Sequence, residues 1–281
     1  MSIAKYFAFA SQNLPQAFNI EPGDAHVQVA KMDGCDYKGC IFQYAGWFVK
    51  PLEWNGFVKH HSDKLIMLIG SDYNDPENLN AEIELWIEND KLVLTQTSIV
   101  FVPAGAAYGR LKIRHLKKPV FHYTCHTNTD NYEAFPAEAT APKGTYADSW
   151  VEKYAPVDGF LPPAPEGFLT RLLWIDDKKL SGAPYLESVW FHTVNDTGPE
   201  THTHDFDEII GFFGDDADHP EELNAELSFQ IGDETLAFTK SCLLYLPRGV
   251  PHSPILVPKL ERSLIHFSGG NGGDYIKKAS T

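Results

Sequence analysis

The sequence predicts an all-β protein with two similar halves, each a β-sandwich or a small β-barrel. One part of the chain repeats another at a constant spacing, which indicates an internal duplication. Within each half, short runs rich in β-branched and aromatic residues are separated by turn residues, and helical periodicity is nearly absent. With 281 residues, 43% of them hydrophobic, the chain is long enough to bury two cores of ordinary domain size.

The repeat is found by adding 144 to each residue number from 70 to 108, which leads to residues 214–252 without a gap. The segment PENLNAE at 76–82 then meets PEELNAE at 220–226, and the turn PAG at 103–105 meets PRG at 247–249. The same offset carries His122 onto His266. A run of matches at one offset is typical of a duplicated unit.

The repeat also predicts the domain organisation. Each half, 23–124 and 167–268, is about the size of a small domain. We therefore predict an N-terminal barrel at 1–129, a connector at 130–166 and a C-terminal barrel at 167–281. The connector is rich in proline and alanine, and its Trp150 and Tyr154 indicate that it packs against one half.

Alternation and turn residues predict the individual strands. Between them lie turn sequences such as DG at 33–34, END at 88–90 and PAG at 103–105. The strands predicted for the two halves lie at 25–31, 40–49, 81–87, 91–95 and 99–102, and at 168–174, 186–194, 225–230, 234–239 and 243–246.

Charge and composition narrow the classes of partner. The formal net charge is −15 and the pI is about 5.1, so the surface repels phosphate backbones and anionic lipid headgroups. We expect neither nucleic acid nor a membrane as a partner. The N-terminus lacks the pattern of a signal peptide and no run of apolar residues is long enough to span a bilayer. Four scattered cysteines indicate free thiols in a cytoplasmic protein.

Two short segments of the C-terminal half carry residues that bind metals. THTHDFDE at 201–208 holds His202 and His204, which face the same way if they lie on a strand, and Glu208 follows after a short turn. PRGVPH at 247–252 ends in His252, far enough along the chain for one or two hairpins to bring it back. Three imidazoles and one carboxylate make a complete ligand set for a divalent metal.

The spacing H-x-H-x3-E followed by P-x-G-x2-H resembles the two motifs of the cupin superfamily. This resemblance covers both halves and implies two tandem jelly-roll barrels, with one metal held in the C-terminal barrel by His202, His204, Glu208 and His252. Departures from the usual motifs concern loop positions and no ligand: Asp196 replaces a glycine, Gly214 stands early, and Leu256 replaces an asparagine.

The first half lacks this ligand set. Its four corresponding positions are Val58, His60, Lys64 and Tyr108, and a lysine in place of the glutamate repels a cation. We therefore expect a metal-free barrel that serves as a structural partner. A small anionic ligand near Lys64 and Tyr108 is the alternative.

Polar residues that occur only in the metal-binding half are candidates for catalysis. The offset of 144 pairs Arg171, Glu187 and His192 with Val27, Gln43 and Phe48. We predict that Arg171 orients the substrate and that Glu187 and His192 move protons, although each fits a surface position equally well. His266 has a counterpart in the metal-free half, so we assign it to the barrel framework.

These residues leave three hypotheses for function. One divalent metal per chain (Mn, Fe, Zn or Ni, with Mn preferred) polarises a carbonyl or activates water. The preferred hypothesis is hydrolytic or lyase cleavage of a carbon–carbon bond in a small carbonyl or cyclic diketone substrate. In overall plan the chain resembles dihydrophloroglucinol cyclohydrolases, which are two-barrel cupins. The alternatives are an Fe(II) ring-cleaving dioxygenase and a non-enzymatic ligand-binding protein. A homodimer is expected from exposed barrel edges.

Overall fold

The computed structural model describes residues 3–11, 25–159, 161–275 and 278–279, and the chain is almost entirely β. A 3-10 helix, Ile3–Tyr6, precedes the first strand, and among the described residues no helix is long and apolar enough to cross a membrane. The all-β prediction is therefore confirmed. Its predicted first half begins at residue 23, which lies outside the described residues.

Among the described residues, thirteen strands precede residue 153. They are β1 (Phe7–Phe9), β2 (His26–Met32), β3 (Phe42–Phe48), β4 (Leu52–Glu53), β5 (Phe57–Lys59), β6 (Lys64–Gly70), β7 (Asn78–Ile87), β8 (Asp90–Gln96), β9 (Ser98–Val102), β10 (Tyr108–Arg114), β11 (Val120–His126), β12 (Phe135–Pro136) and β13 (Trp150–Val151). Apart from β1, they form two sheets of the N-terminal barrel, ordered β13-β9-β6-β11-β3-β2 and β12-β5-β10-β7-β8, with β4 also paired to β10.

Ten strands follow. They are β14 (Leu169–Ile175), β15 (Leu186–Phe191), β16 (His202–Thr203), β17 (Glu208–Gly214), β18 (Glu222–Ile231), β19 (Glu234–Lys240), β20 (Cys242–Leu246), β21 (His252–Leu260), β22 (Leu264–Gly270) and β23 (Lys278–Ala279). With β1 they form the sheets β1-β20-β17-β22-β15-β14 and β19-β18-β21-β16-β23 of the C-terminal barrel.

The two barrels repeat each other in detail. Strands β6, β7, β8, β9 and β11 map onto β17, β18, β19, β20 and β22 with both ends displaced by 144 residues. Loop contacts repeat as well, because the Gly105 amide donates to the His60 carbonyl and the Gly249 amide donates to the His204 carbonyl, at 2.8 and 2.9 Å. The duplication deduced from the sequence is therefore a duplication of structure.

Close backbone contact explains one matched glycine pair. Gly70 and Gly214 end β6 and β17, where a Cβ would lie 2.0 Å from the carbonyl oxygen of Asn78 and 2.2 Å from that of Glu222. No side chain fits at either position without moving the next strand. This close contact explains why the strand ends in glycine in both halves.

Each barrel encloses its own apolar core. Leu79, Ile83 and Leu94 are fully buried in the N-terminal barrel, and Leu223, Leu227 and Phe229 are fully buried in the C-terminal one. The sequence prediction missed β6 and β17, which are buried along their whole length. A strand buried on both faces has a continuous apolar sequence without alternation, so the period-2 pattern does not reveal it.

The compact units have different bounds from the predicted domains. Of the described residues, those at 25–153 form one unit, and those at 3–11 and from 154 onward form the other. The N-terminal segment belongs to the second unit because β1 pairs antiparallel with β20, and the Phe7 ring packs edge-on against Phe238 at 5.4 Å. A short strand therefore covers the edge of β20, which limits pairing with other chains.

The connector is ordered and most of it belongs to the N-terminal barrel. The Glu88 carboxylate accepts hydrogen bonds from the amides of Thr140 and Ala141, and Asp90 accepts from those of Gly144 and Tyr146. Strand β13 pairs with β9, the counterpart of β20, so each barrel has this edge covered by a short segment from elsewhere in the chain. The remainder, from Tyr154 onward, belongs to the C-terminal unit.

Because Phe7 is buried in the C-terminal unit, Phe7→Ala should destabilise that unit by about 3 kcal/mol, the usual cost of removing a buried phenyl ring. Hydrogen exchange followed by mass spectrometry should show faster exchange in β20 and no change in β9. Val194→Ala, at a side chain that is 59% exposed, is the control and should leave both strands unchanged. Faster exchange in β9 instead would contradict this assignment of the N-terminal segment.

Candidate metal centre

Four side chains meet inside the C-terminal barrel. The imidazoles of His202, His204 and His252 each offer a nitrogen, and these three atoms lie within 4.8 Å of one another. One carboxylate oxygen of Glu208 is 2.9 Å from His252 Nε2 and the other is 3.6 Å from His204 Nε2. All four residues are buried.

Both sheets of the barrel contribute to this cluster. Strands β16 and β21 lie side by side in one sheet, and their pairing sets His202 directly opposite His252. Glu208 is the first residue of β17, which lies in the other sheet, and the bend at residues 205–207 joins the two sheets. The four residues thus project into the space between the sheets, although only His202 and Thr203 form the strand expected for the first motif.

Hydrogen bonds to the backbone orient two of the imidazoles. Nδ1 of His202 lies 2.8 Å from the Glu200 carbonyl oxygen, and Nδ1 of His252 lies 2.9 Å from that of Val250. A carbonyl oxygen can only accept, so each Nδ1 carries a proton, and in the neutral ring Nε2 is left with the lone pair that a metal needs. Metal-binding histidines in proteins are usually held in this way.

The histidines also determine the charge state of Glu208. Burial raises the pKa of this carboxyl, but the charge that His252, His204 and His202 carry when protonated, together with a hydrogen bond from His252, outweighs burial and holds the pKa below the ordinary value. Glu208 is therefore a carboxylate surrounded by imidazoles. Three neutral nitrogen donors and one anionic oxygen suit Mn²⁺, Fe²⁺, Ni²⁺ or Zn²⁺, so the residues present fit a divalent transition metal.

A surface network ties the two motif segments together. Asp207 accepts hydrogen bonds from the Arg248 guanidinium and backbone amide, each at 3.0 Å, and from the side-chain amide of Asn271 at 3.0 Å. Asp207 precedes Glu208, and Arg248 lies four residues before His252. The network therefore positions two of the four clustered side chains without touching them. Its three residues carry no sequence signal for this role, because none of them belongs to the predicted ligand set.

Aromatic rings enclose one side of the cluster. The Phe206 ring stacks on His204 with centroids 4.6 Å apart, and the Tyr275 ring lies 5.6 Å from the same imidazole. Burial raises the pKa of Tyr275 well above the ordinary value, and the carboxylates of Glu187 and Glu208 raise it further. Tyr275 therefore keeps its proton at neutral pH.

A cavity of about 720 Å³ opens beside the cluster, and His202 belongs to both. Such a volume is typical of sites for small molecules. Its wall combines apolar side chains with a few polar groups. The polar and ionisable residues in the wall include Tyr154, Arg171, Glu187, Asn195, His202 and His266.

Two of the three predicted catalytic residues line this cavity. The Arg171 guanidinium donates to the carbonyl oxygen of Pro162 and lies 5.7 Å from the centroid of the Tyr154 ring. The Tyr154 hydroxyl donates to Glu187 Oε2 at 2.7 Å. Burial and the nearby Glu187 charge raise the pKa of Tyr154 far above the ordinary value, so it acts as a donor. Its position in a proline-rich connector gave no sequence signal for this role.

His192 is not brought to the cavity. Its two ring nitrogens bond to the hydroxyls of Ser263 and Thr170, each at 2.9 Å. Side chains alternate along β15, so Glu187, Val189 and Phe191 face the cavity and His192 faces away. We therefore leave His192 out of the candidate site.

A one-residue shift in the repeat explains the pairing of His192 with Phe48. Gly46 lies opposite His122, but Val189, not Trp190, lies opposite His266. The offset is thus 143 between the pair β2 and β3 and the pair β14 and β15, and it is 144 from β6 onward. The structural counterpart of Phe48 is Phe191, and a shift of one residue exchanges the two faces of a strand.

His266 does line the cavity, although we assigned it to the framework. Its Nδ1 donates to the Gly211 carbonyl oxygen at 3.1 Å, and its ring lies 4.9 Å from Phe191 and 4.7 Å from Phe212. Burial lowers the pKa of His266 to about 4, so it is neutral at physiological pH. His122 packs on Phe48 in the same way at 5.0 Å. The residue therefore supports the barrel and also forms part of the cavity wall.

The corresponding positions of the N-terminal barrel are also buried, but among the described residues they form no second metal-binding cluster. Lys64 occupies the place of Glu208, and its Nζ lies 3.4 Å from Nε2 of His126. His60, the counterpart of His204, bonds through Nε2 to the Tyr108 hydroxyl at 3.0 Å. The two interiors therefore differ in charge at the same position of one fold.

Solved structures share this fold. Oxalate decarboxylase from Bacillus subtilis matches 97% of this chain over 78% of its own, with a TM-score of 0.61 and 10% sequence identity. The Lactobacillus farciminis enzyme, solved as a formate complex, matches 97% of this chain over 87% of its own, with a TM-score of 0.57 and 10% identity. AerE from Microcystis aeruginosa matches 94% of this chain over 97% of its own, with a TM-score of 0.53 and 12% sequence identity.

No family model and no curated protein matches the sequence. At such low identities, the structural likeness establishes the fold alone. The prediction of two tandem cupin jelly-roll barrels is confirmed at that level.

Asp207→Ala should loosen the loop that carries His252, because it leaves the Arg248 amide and the Asn271 side chain without their acceptor. We expect faster hydrogen exchange at residues 246–252 and about 10- to 100-fold weaker divalent metal binding, as for other supports of metal ligands. Asp63→Ala is the matched control, since Asp63 accepts from the Ala104 amide in the N-terminal barrel. Equal metal affinity in both variants would contradict a positioning role for Asp207.

Proposed function

We propose that the C-terminal barrel is the active site of a metal-dependent enzyme that cleaves a carbon–carbon bond in a small carbonyl or carboxylate compound. One observation carries this proposal: His202 belongs both to the four-residue cluster and to the wall of a cavity that also presents Arg171 and Glu187. A ligand set alone fits a structural metal. A ligand set that borders a cavity with a cation and a carboxylate fits catalysis.

The substrate class follows from the cavity. Arg171 places a guanidinium in a largely apolar wall, and guanidinium groups bind carboxylates and carbonyl oxygens through paired hydrogen bonds. The bond to the Pro162 carbonyl and the Tyr154 ring hold this group in place. The volume of about 720 Å³ admits a small cyclic compound as well as a small acid. Resemblance to dihydrophloroglucinol cyclohydrolases therefore stays a prediction.

The residues of the chain have distinct roles in the proposed reaction. His202, His204, Glu208 and His252 would hold a divalent ion, which when bound acts as a Lewis acid and polarises a carbonyl group. Arg171 orients the substrate. Cleavage leaves one fragment with the bonding electron pair, and that fragment needs a proton, which Glu187 can exchange. Tyr154 donates to Glu187 and fixes the direction of its carboxylate.

The fold relatives support bond cleavage without defining the reaction. Two of them are named as oxalate decarboxylases, which remove a carboxyl group by breaking a carbon–carbon bond. Lyase and hydrolytic chemistry both follow from a polarised carbonyl, and they differ in whether water is consumed. We favour a carbon–carbon lyase or hydrolase over the dioxygenase alternative because Arg171 and Glu187 provide for substrate binding and proton exchange.

Removing a ligand should release the metal. The parent protein, purified and loaded with Mn²⁺, should hold one ion per chain after dialysis. Each of the variants His202→Ala, His252→Ala and Glu208→Gln should hold less than a tenth of that amount. His60→Ala is the matched control in the N-terminal barrel and should retain one ion. Full retention by the Glu208→Gln variant together with loss in His60→Ala would place the metal in the other barrel.

Turnover separates the reaction classes. Metal-stripped protein is reloaded with Mn²⁺, Zn²⁺ or Fe²⁺ and offered oxalate, other small oxo acids and cyclic 1,3-diketones while dissolved oxygen is recorded. Product formation without stoichiometric oxygen consumption is expected. One oxygen molecule consumed per turnover would overturn the lyase and hydrolase proposal in favour of a dioxygenase.

Cavity variants should lower activity without releasing the metal. Arg171→Met should raise KM and lower kcat/KM by about 100-fold, the effect of losing a charge-assisted contact. Glu187→Gln should lower kcat, because general acid–base groups contribute roughly 100-fold or more. His192→Ala is the control and should retain the kcat and KM of the parent chain. A loss of kcat in His192→Ala equal to that in Glu187→Gln would contradict the assignment.

A further inference from the structure

The N-terminal barrel holds a second cavity, of about 40 Å³, around Lys64. By the same measure a single water needs roughly 10–15 Å³, so this space admits a molecule of a few heavy atoms. Most of its wall is aliphatic or aromatic. Trp54 and Tyr132 are the half-buried residues of that wall.

Lys64 is an unusual residue for such an interior. Its side chain is 2% exposed, and its Nζ lies 5.0 and 5.6 Å from the ring centroids of Tyr108 and Tyr132. Burial lowers the pKa of Lys64 to about 7, so a large fraction of the amine is neutral at physiological pH. A neutral, desolvated lysine amine is a nucleophile, as in enzymes that bind carbonyl compounds covalently.

Hydrogen bonds around the amine have defined directions. Nδ1 of His60 donates to the Glu133 carbonyl oxygen at 2.5 Å, so its Nε2 accepts from the Tyr108 hydroxyl. Burial and the Lys64 charge lower the pKa of His126 well below the ordinary value, so its ring is neutral. With Nδ1 bonded to the Ser62 hydroxyl, Nε2 of His126 faces Lys64 Nζ at 3.4 Å and can accept a proton from it.

We propose that Lys64 is a second reactive site, a buried amine that forms a Schiff base with a small aliphatic aldehyde or ketone entering this cavity. It is independent of the metal-dependent function proposed for the other barrel. The shape, the single amine among apolar walls and the adjacent imidazole are the features that assign it. A carbonyl compound of two or three carbons matches both the volume and the apolar surface.

The reaction is balanced without an external oxidant or reductant. The nitrogen lone pair attacks the carbonyl carbon, and the carbon–oxygen π electrons move to oxygen. His126 beside the amine takes a proton from nitrogen and later releases it to solvent, and the oxygen takes a proton from solvent, which gives a carbinolamine. The hydroxyl then leaves as water after accepting another proton from solvent, and the nitrogen lone pair forms the carbon–nitrogen double bond.

Reductive trapping tests the proposal on the full chain. Acetaldehyde and sodium cyanoborohydride are added at pH 7, and ethylated lysines are located by peptide mass spectrometry. We expect Lys64 to be labelled at least 10-fold faster than exposed Lys59 of the same barrel, because an ordinary lysine amine is neutral in fewer than about one molecule in a thousand at this pH. His126→Ala should slow the labelling of Lys64 and leave that of Lys59 unchanged.

Controls separate reaction in the cavity from reaction in an opened chain. Circular dichroism establishes that each variant is folded, and low concentrations of urea report on opening. Labelling of Lys64 that is fast without urea and insensitive to low urea supports the proposal. Labelling of Lys64 that is no faster than that of Lys59, or that rises in step with urea-induced opening, would overturn it.

Discussion

The C-terminal barrel depends on how one carboxylate is accommodated in its interior. A buried carboxylate is costly unless charged or polar groups compensate it, and the three imidazoles beside Glu208 compensate it when they are protonated. That arrangement requires β16 and β21 to be neighbours, β17 to begin at Glu208, and two loops to be held together by Asp207 and Arg248. The ligand set, the loop contacts and the adjacent cavity are therefore all related to the burial of this one carboxylate.

The N-terminal barrel buries a basic residue where the C-terminal barrel buries an acidic one. Lys64 stands where Glu208 stands in the other barrel, and the surrounding groups are tyrosines and neutral histidines. In its charged form Lys64 would repel a metal ion, and burial lowers its pKa to about 7, which favours the neutral amine. Duplication thus preserved the backbone, down to matching loop hydrogen bonds, while the interiors diverged toward different chemistry. Both barrels keep the same fold because the backbone pairing of the strands does not depend on whether lysine or glutamate stands at this position.

Much of this could be predicted from the sequence because local patterns decide it. The repeat, the turn glycines and the spacing of the two metal motifs predicted tandem barrels and a cluster of His202, His204, Glu208 and His252 in one of them. Of the three candidate catalytic residues, Arg171 and Glu187 line the cavity and His192 does not. Comparison of the halves at a fixed offset of 144 paired His192 with Phe48, whereas the strand register shows an offset of 143 there. A single residue decides which face a side chain occupies, and no local pattern near His192 reveals the shift.

By itself the sequence determined that the chain is all-β and duplicated, and that one half carries the set of three histidines and a glutamate that could hold a metal, whereas the other half lacks this set. These properties follow from residue types and their spacing along the chain. Only the tertiary structure decided that the first strand completes the C-terminal barrel, that Tyr154 of the connector bonds Glu187, and that His266 lines the cavity while His192 does not. Each of these depends on contacts between residues far apart in sequence, which strand register and burial bring together.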